Sequence, residues 1–144
     1  MRVICEKAAS VEEEQAVIKA FKMTDEIETA ISILESSGGR IAVNRENQIY
    51  LLENNKIYYI ESIDKKTFIY TKDNCYETKF RLYELETMLN ANFLRCAKAM
   101  IVNIRKIRSV KSDLNGRMNA RLLNDENIVI ARSYVKELKE RLGI

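Results

Sequence analysis

The chain has 144 residues, 47% of them hydrophobic, with 24 Lys and Arg against 21 Asp and Glu for a formal charge of +3. That length sets one domain with at most a small appendage, and that apolar share is enough for a core, which excludes a disordered chain. The absence of histidine and the three scattered cysteines, Cys5, Cys75 and Cys96, exclude Ser-His or Cys-His nucleophiles and argue against a zinc site.

Taken in chain order, Arg2–Lys7 and Gln15–Phe21 alternate in hydropathy and predict two short strands around the acidic run Glu12–Glu14. Thr24 suits an N-cap, with Asp25, Glu26 and Glu28 where a helix dipole favours anions. Ile27, Ala30, Ile31 and Leu34 then make one helical face, ended by Gly38-Gly39. This ββα segment, residues 1–38, is too small to bury a core of its own and is expected to pack on the body or on a partner. From residue 39 the period becomes that of strands. RIAVNR (40–45) and QIYLLE (48–53) flank a Glu46-Asn47 break, and IYYIES (57–62), KTFIYT (66–71) and CYETKF (75–80) follow. RLYELETMLN (81–90) predicts a short helix carried by Leu82, Leu85, Met88 and Leu89.

Phe93 to Val110, FLRCAKAMIVNIRKIRSV, holds Arg95, Lys98, Arg105, Lys106 and Arg108 and no acid. Its first part alternates as a half-buried strand, and Ala99–Val102 suits a strand covered on both faces. Asn115-Gly116 predicts a type I′ turn before the alternating 117–122, and 127–131 predicts a last strand. Ser133 is expected to cap a final helix with Val135, Leu138 and Leu142 inward. The cysteines are expected as reduced thiols in a core. Residues 1–40 hold five Lys/Arg and eight Asp/Glu, leaving 19 against 13 for the rest. A basic body with an acid-free stretch points to an anionic partner.

Three blocks of the sequence resemble the LytTR DNA-binding domain of bacterial transcription regulators. They are IYYIESIDKKTFIYTKDNCYETKFRLYELE, then FLRCAKAMIVNIRKIRSV, then IVIARSYVKELKERL. The resemblance runs from about Gly39 to Ile144. It implies a mainly β (α+β) fold, an elongated antiparallel β-sheet with short helices, preceded here by the ββα segment. It also implies loops that set side chains into successive grooves of double-stranded DNA, at promoter direct repeats. Carried over by position, the base-reaching residue of the hairpin falls on Lys65 or Lys66, and the others fall on Lys98 and on Arg132 with Ser133. Asn103 stands at a position that ties a turn. Arg95, Arg105 and Lys106 join the expected DNA-binding set as further cations of the basic stretch. Ala97, Ala99 and Ala131 replace hydroxyl or imidazole donors common in the family.

No GxGxxG, GxxxxGK[ST] or GxSxG occurs, so neither an enzyme, a cofactor, a metal nor a small-molecule substrate is expected. The resemblance is to the stand-alone type without a receiver domain, acting with a membrane regulatory partner, and a homodimer is a further expectation. With no signal-peptide pattern and no apolar run near ~18 residues, a cytoplasmic protein is expected. A rival reading is a protein-interaction or dimerisation module of such a system whose DNA binding is weak or lost.

Overall fold

The computed structural model describes residues 1–10, 13–36 and 39–144. Glu12 and the Ser37-Gly38 part of the expected helix end lie outside the described residues. Two compact units are present, residues 1–35 and 36–144.

In the first unit, helix α1 (Asp25–Ser36) begins as the sequence predicts. Thr24 Oγ1 accepts from the Ile27 N–H at 3.3 Å, the work of an N-cap. Ile27 is buried and Ile31 half-buried, while Ala30 and Leu34 are exposed. The two strands expected at 2–7 and 15–21 do not form: among the described residues no strand precedes Arg40. Alternating hydropathy is necessary for a strand but not sufficient, because a strand also needs a ladder partner.

The second unit is a seven-stranded sheet and a three-stranded sheet, antiparallel throughout its ladders. The strands are β1 (Arg40–Arg45), β2 (Gln48–Glu53), β3 (Tyr59–Ile63), β4 (Lys66–Tyr70), β5 (Cys75–Thr78), β6 (Phe93–Ala97), β7 (Met100–Asn103), β8 (Ile107–Ser112), β9 (Met118–Leu122) and β10 (Asn127–Ile130). They order as β2-β1-β5-β4-β3-β7-β6 and β10-β9-β8. Helix α2 (Leu82–Met88) follows β5 and helix α3 (Arg132–Leu142) follows β10.

The period-2 alternation of β7 explains how two cores share one strand. Ile101 joins Ile41, Val43, Ile60, Ile69, Leu82 and Leu85 on one face. Val102 joins Leu94, Cys96, Met118, Leu122, Ile130 and Leu138 on the other. Each large side chain so buried contributes roughly 1.5–3 kcal/mol. Of the run expected to be covered on both faces, Ile101 and Val102 are buried, whereas Met100 is half-buried and Ala99 is exposed in the turn before β7. Tyr59 and Tyr70, opposite each other on β3 and β4, stack at 4.3 Å between ring centroids, a cross-strand packing role.

Asn103 ties the turn after β7. Its side-chain amide donates to the Ile57 carbonyl at 2.9 Å, and its Oδ1 accepts from the Arg105 N–H at 3.0 Å. Of the thiols only Cys96 is buried; Cys5 and Cys75 are exposed, against the expectation of core positions. Cys75 sits at the solvent-facing start of β5, and Cys5 in a stretch without strand pairing.

Candidate nucleic-acid interface

Three chain reversals bring cations to one end of the second unit. The first is the β3–β4 hairpin. Asp64 and Lys65 have φ of 49° and 65°, the left-handed pair of a type I′ turn, closed by Ile63 opposite Lys66. Lys65 therefore forms the tip and Lys66 opens β4; both are exposed.

The second reversal is the β6–β7 turn, Lys98-Ala99, where Lys98 is exposed. It is fastened on two sides. The Ser62 N–H donates to the Ala99 carbonyl at 2.8 Å, which sets this turn beside the β3–β4 tip. Arg95 Nη1 donates to the Lys98 carbonyl at 2.5 Å.

The third is the step from β10 into α3. The Ala131 N–H donates to the Cys96 carbonyl at 2.8 Å, where the β6–β7 ladder shifts register between Arg95 and Ala97. Pairing ends there, and the helix begins at once with Arg132. Ser133 is therefore inside the first turn, not its cap, and the capping position is Ala131. Ala131 has no side-chain acceptor to offer, and the first turn holds no acid. The Tyr134 N–H is taken by the Ala131 carbonyl at 2.9 Å, so what such a helix start offers an anion is the N–H groups of Arg132 and Ser133 and the positive end of the dipole. The stem of Arg132 lies across Gly116: a Cβ there would meet the Arg132 Cγ at 3.1 Å and Cδ at 3.2 Å. Gly116 belongs to the β8–β9 turn. Asn115 and Gly116 take positive φ, but the turn is longer than the two residues expected. Leu114 joins it, and the Asp113 N–H closes it on the Arg117 carbonyl at 2.9 Å.

Lys65, Lys66, Lys98, Arg132 and Ser133 are thus brought to one end. Arg105 and Lys106 are not. The Asn103 N–H bonds the Tyr58 carbonyl at the start of β3, whereas Lys98-Ala99 meets Ser62 near its end. The four residue steps from Tyr58 to Ser62 along β3, at ~3.3 Å each, put about 13 Å between the two groups. Arg105 is exposed and its Nε lies 3.4 Å from Asn92 Oδ1. The Lys106 ammonium stands 5.2 Å from the centroid of the Tyr58 ring, a cation–π contact. Burial, and then the charge of Lys56, hold its pKa below the usual lysine value.

Arg95 is half-buried and committed elsewhere. It forms an ion pair with Glu86 of α2, to which its Nε also donates at 2.7 Å. The sequence held no signal for this partnership, which joins a helix and a strand. It held a partial one for the outer face of the three-stranded sheet. There the register sets Lys111 opposite Asn119 and Ser109 opposite Arg121, with Asn127 beside Arg121. These five line a shallow polar surface. Among the described residues no group of three or more His, Cys, Asp and Glu could hold a metal ion. Among the described residues no helix is long and apolar enough to cross a membrane.

Residues 47–143 match the family model described as the LytTr DNA-binding domain. The chain is 30% identical over 105 residues to the sensory transduction protein LytT of Enterococcus faecalis, covering 72% of this chain and 43% of that protein. It therefore spans less than half the length of that relative. It is also 29% identical over 130 residues to an uncharacterized HTH-type transcriptional regulator of Staphylococcus aureus, covering 88% of each. The fold resembles that of a LytTr DNA-binding domain from Bacillus cereus, with a TM-score of 0.70 and 24% identity over 75% of this chain and all of that one. Its frame is strands, and its helices α2 and α3 are separated by five strands. The chain belongs to the LytTr DNA-binding domain family.

Proposed function

We propose that the protein is a sequence-specific transcription regulator that inserts turn-borne side chains from a β scaffold into the grooves of duplex DNA. The observation that carries this reading is the gathering of Lys65, Lys66, Lys98 and Arg132 on three reversals at one end of the second unit. Lys and Arg donate to guanine O6 and N7 in the major groove, and each such pair discriminates by about 1–3 kcal/mol. Ser133 and the uncapped first turn of α3 suit a phosphate. Arg105, exposed at the far end, serves a flanking phosphate, and Lys106 supplies at most field, since Tyr58 occupies its ammonium.

Promoter direct repeats fit a module that reads from one end, each copy placing the same turns in register. A cytoplasmic location, a homodimer and a membrane regulatory partner complete the proposal, with residues 1–38 as the segment that packs on the body or the partner. The test is selection of bound duplexes from a random library, followed by salt titration. One enriched motif is expected, with log affinity falling against log salt by roughly 0.9 per phosphate contacted. No enrichment, with partner binding retained, would support the interaction-module reading instead.

A further inference from the structure

The geometry points to Arg95 as a positioning residue: with Glu86 it fixes the direction in which Lys98 leaves the β6–β7 turn, and it does not itself touch DNA. This inference rests on the DNA-reading function proposed above. Arg95 donates from Nε to Glu86 Oε1 at 2.7 Å, ion-pairs with the same carboxylate, and donates from Nη1 to the Lys98 carbonyl at 2.5 Å. One planar fork therefore joins a helix to the backbone of a turn. Lysine, a single point of charge, cannot hold both acceptors in that geometry.

The anchor behind the fork is firm. Leu82 and Leu85 of α2 are buried in the core beneath the seven-stranded sheet, and the Arg81 N–H donates to Glu84 Oε1 at 3.0 Å at the helix start. On the other side the Ala99 carbonyl is held by the Ser62 N–H. With both carbonyls of the turn fixed, the Lys98 side chain starts from a set Cα–Cβ direction. Without the Arg95 bond, the turn is held on one side only. The ladder beside it is already irregular, with the register shift between Arg95 and Ala97. The pair is partly solvated, at 23% and 44% side-chain exposure, so it adds little to stability. Its consequence is orientation.

The test uses the full chain, a selected duplex and a scrambled duplex at two salt concentrations, with Arg95→Lys, Glu86→Ala and Lys98→Ala. Arg95→Lys and Glu86→Ala are each expected to lower the specific-to-nonspecific ratio roughly three- to tenfold, the range set by one net hydrogen bond. The salt slope and thermal midpoint should stay near wild type, and neither variant should lower the ratio further once Lys98 is Ala. A phosphate contact predicts otherwise: Arg95→Lys would keep the ratio, and removing the Glu86 charge would tighten binding to both duplexes.

Amide exchange in the free protein gives a second reading. Glu86→Ala should speed exchange at Ser62, whose N–H donates to the Ala99 carbonyl of the turn, while leaving Asn103, whose N–H donates to the Tyr58 carbonyl, unchanged. Unchanged exchange at Ser62, or a wild-type ratio in Arg95→Lys while Lys98→Ala loses it, overturns the positioning role alone. A wild-type protein with no sequence preference overturns the function and this inference with it.

Discussion

The side-chain stem of Arg132 lies against Gly116 so closely that a Cβ there would sit 3.1 Å from the Arg132 Cγ, tighter than an ordinary contact. Gly116 also has φ +76°, which L side chains rarely adopt. Gly116→Ala is therefore expected to cost about 1 kcal/mol or more from the backbone alone, and to shift the Arg132 stem by a few tenths of an ångström. Chemical denaturation reads the first effect. The second appears as a fall in sequence preference that vanishes when Arg132 is already Ala.

Asn103→Ala should be the most damaging single change in the basic stretch. The side chain is 3% exposed, and its loss strands the Ile57 carbonyl and the Arg105 N–H. Each buried polar group left unpaired costs about 1–3 kcal/mol, so a loss of about 2–5 kcal/mol is expected in urea unfolding. A drop under 1 kcal/mol would mean water replaces the amide.

Burial pushes the Cys96 thiol up to about 12, against about 8.5 for a free cysteine. A raised folded-state pKa contributes stability that is present below the unfolded value and lost as pH climbs toward the folded one. Between pH 9 and 11 the unfolded thiol ionises and the folded one does not, so stability should fall by up to about 1.4 kcal/mol per pH unit from this group. Cys96→Ala should flatten that part of the curve. At pH 8, alkylation should reach exposed Cys5 and spare Cys96 until the chain unfolds.

Much of the frame was legible in the residues, because β1, β4 and β10 bury alternate side chains and the Glu46-Asn47 break carries, in Asn47, a residue type that tolerates positive φ. What was not legible depends on tertiary partners. Arg2–Lys7 has the pattern of a strand but no ladder to join. Ser133 looked like a cap because it precedes an apolar helical face; the Ala131–Cys96 hydrogen bond starts the helix two residues earlier. The basic stretch looked like one surface, but β7 carries the chain from one end of the sheet to the other. That separates Lys98 from Arg105 and Lys106. Arg95 looked like any cation, since Glu86 is nine residues away on a helix.

Residues 1–38 are proposed to pack on the body or a partner. Removing them is expected to lower the thermal midpoint or to convert a dimer to a monomer in sedimentation. A truncated chain unchanged in both measurements would make the segment a free tail.

The measurement closest to the central claim is the specific-to-nonspecific affinity ratio on a selected and a scrambled duplex at two salts. Lys98→Ala and Arg132→Ala should shrink it, each costing about 1–3 kcal/mol on the selected site. Lys106→Ala, a strand length away and held over Tyr58, should leave it near wild type. Wild-type ratios in both Lys98→Ala and Arg132→Ala would contradict the assignment of base reading to this end of the sheet.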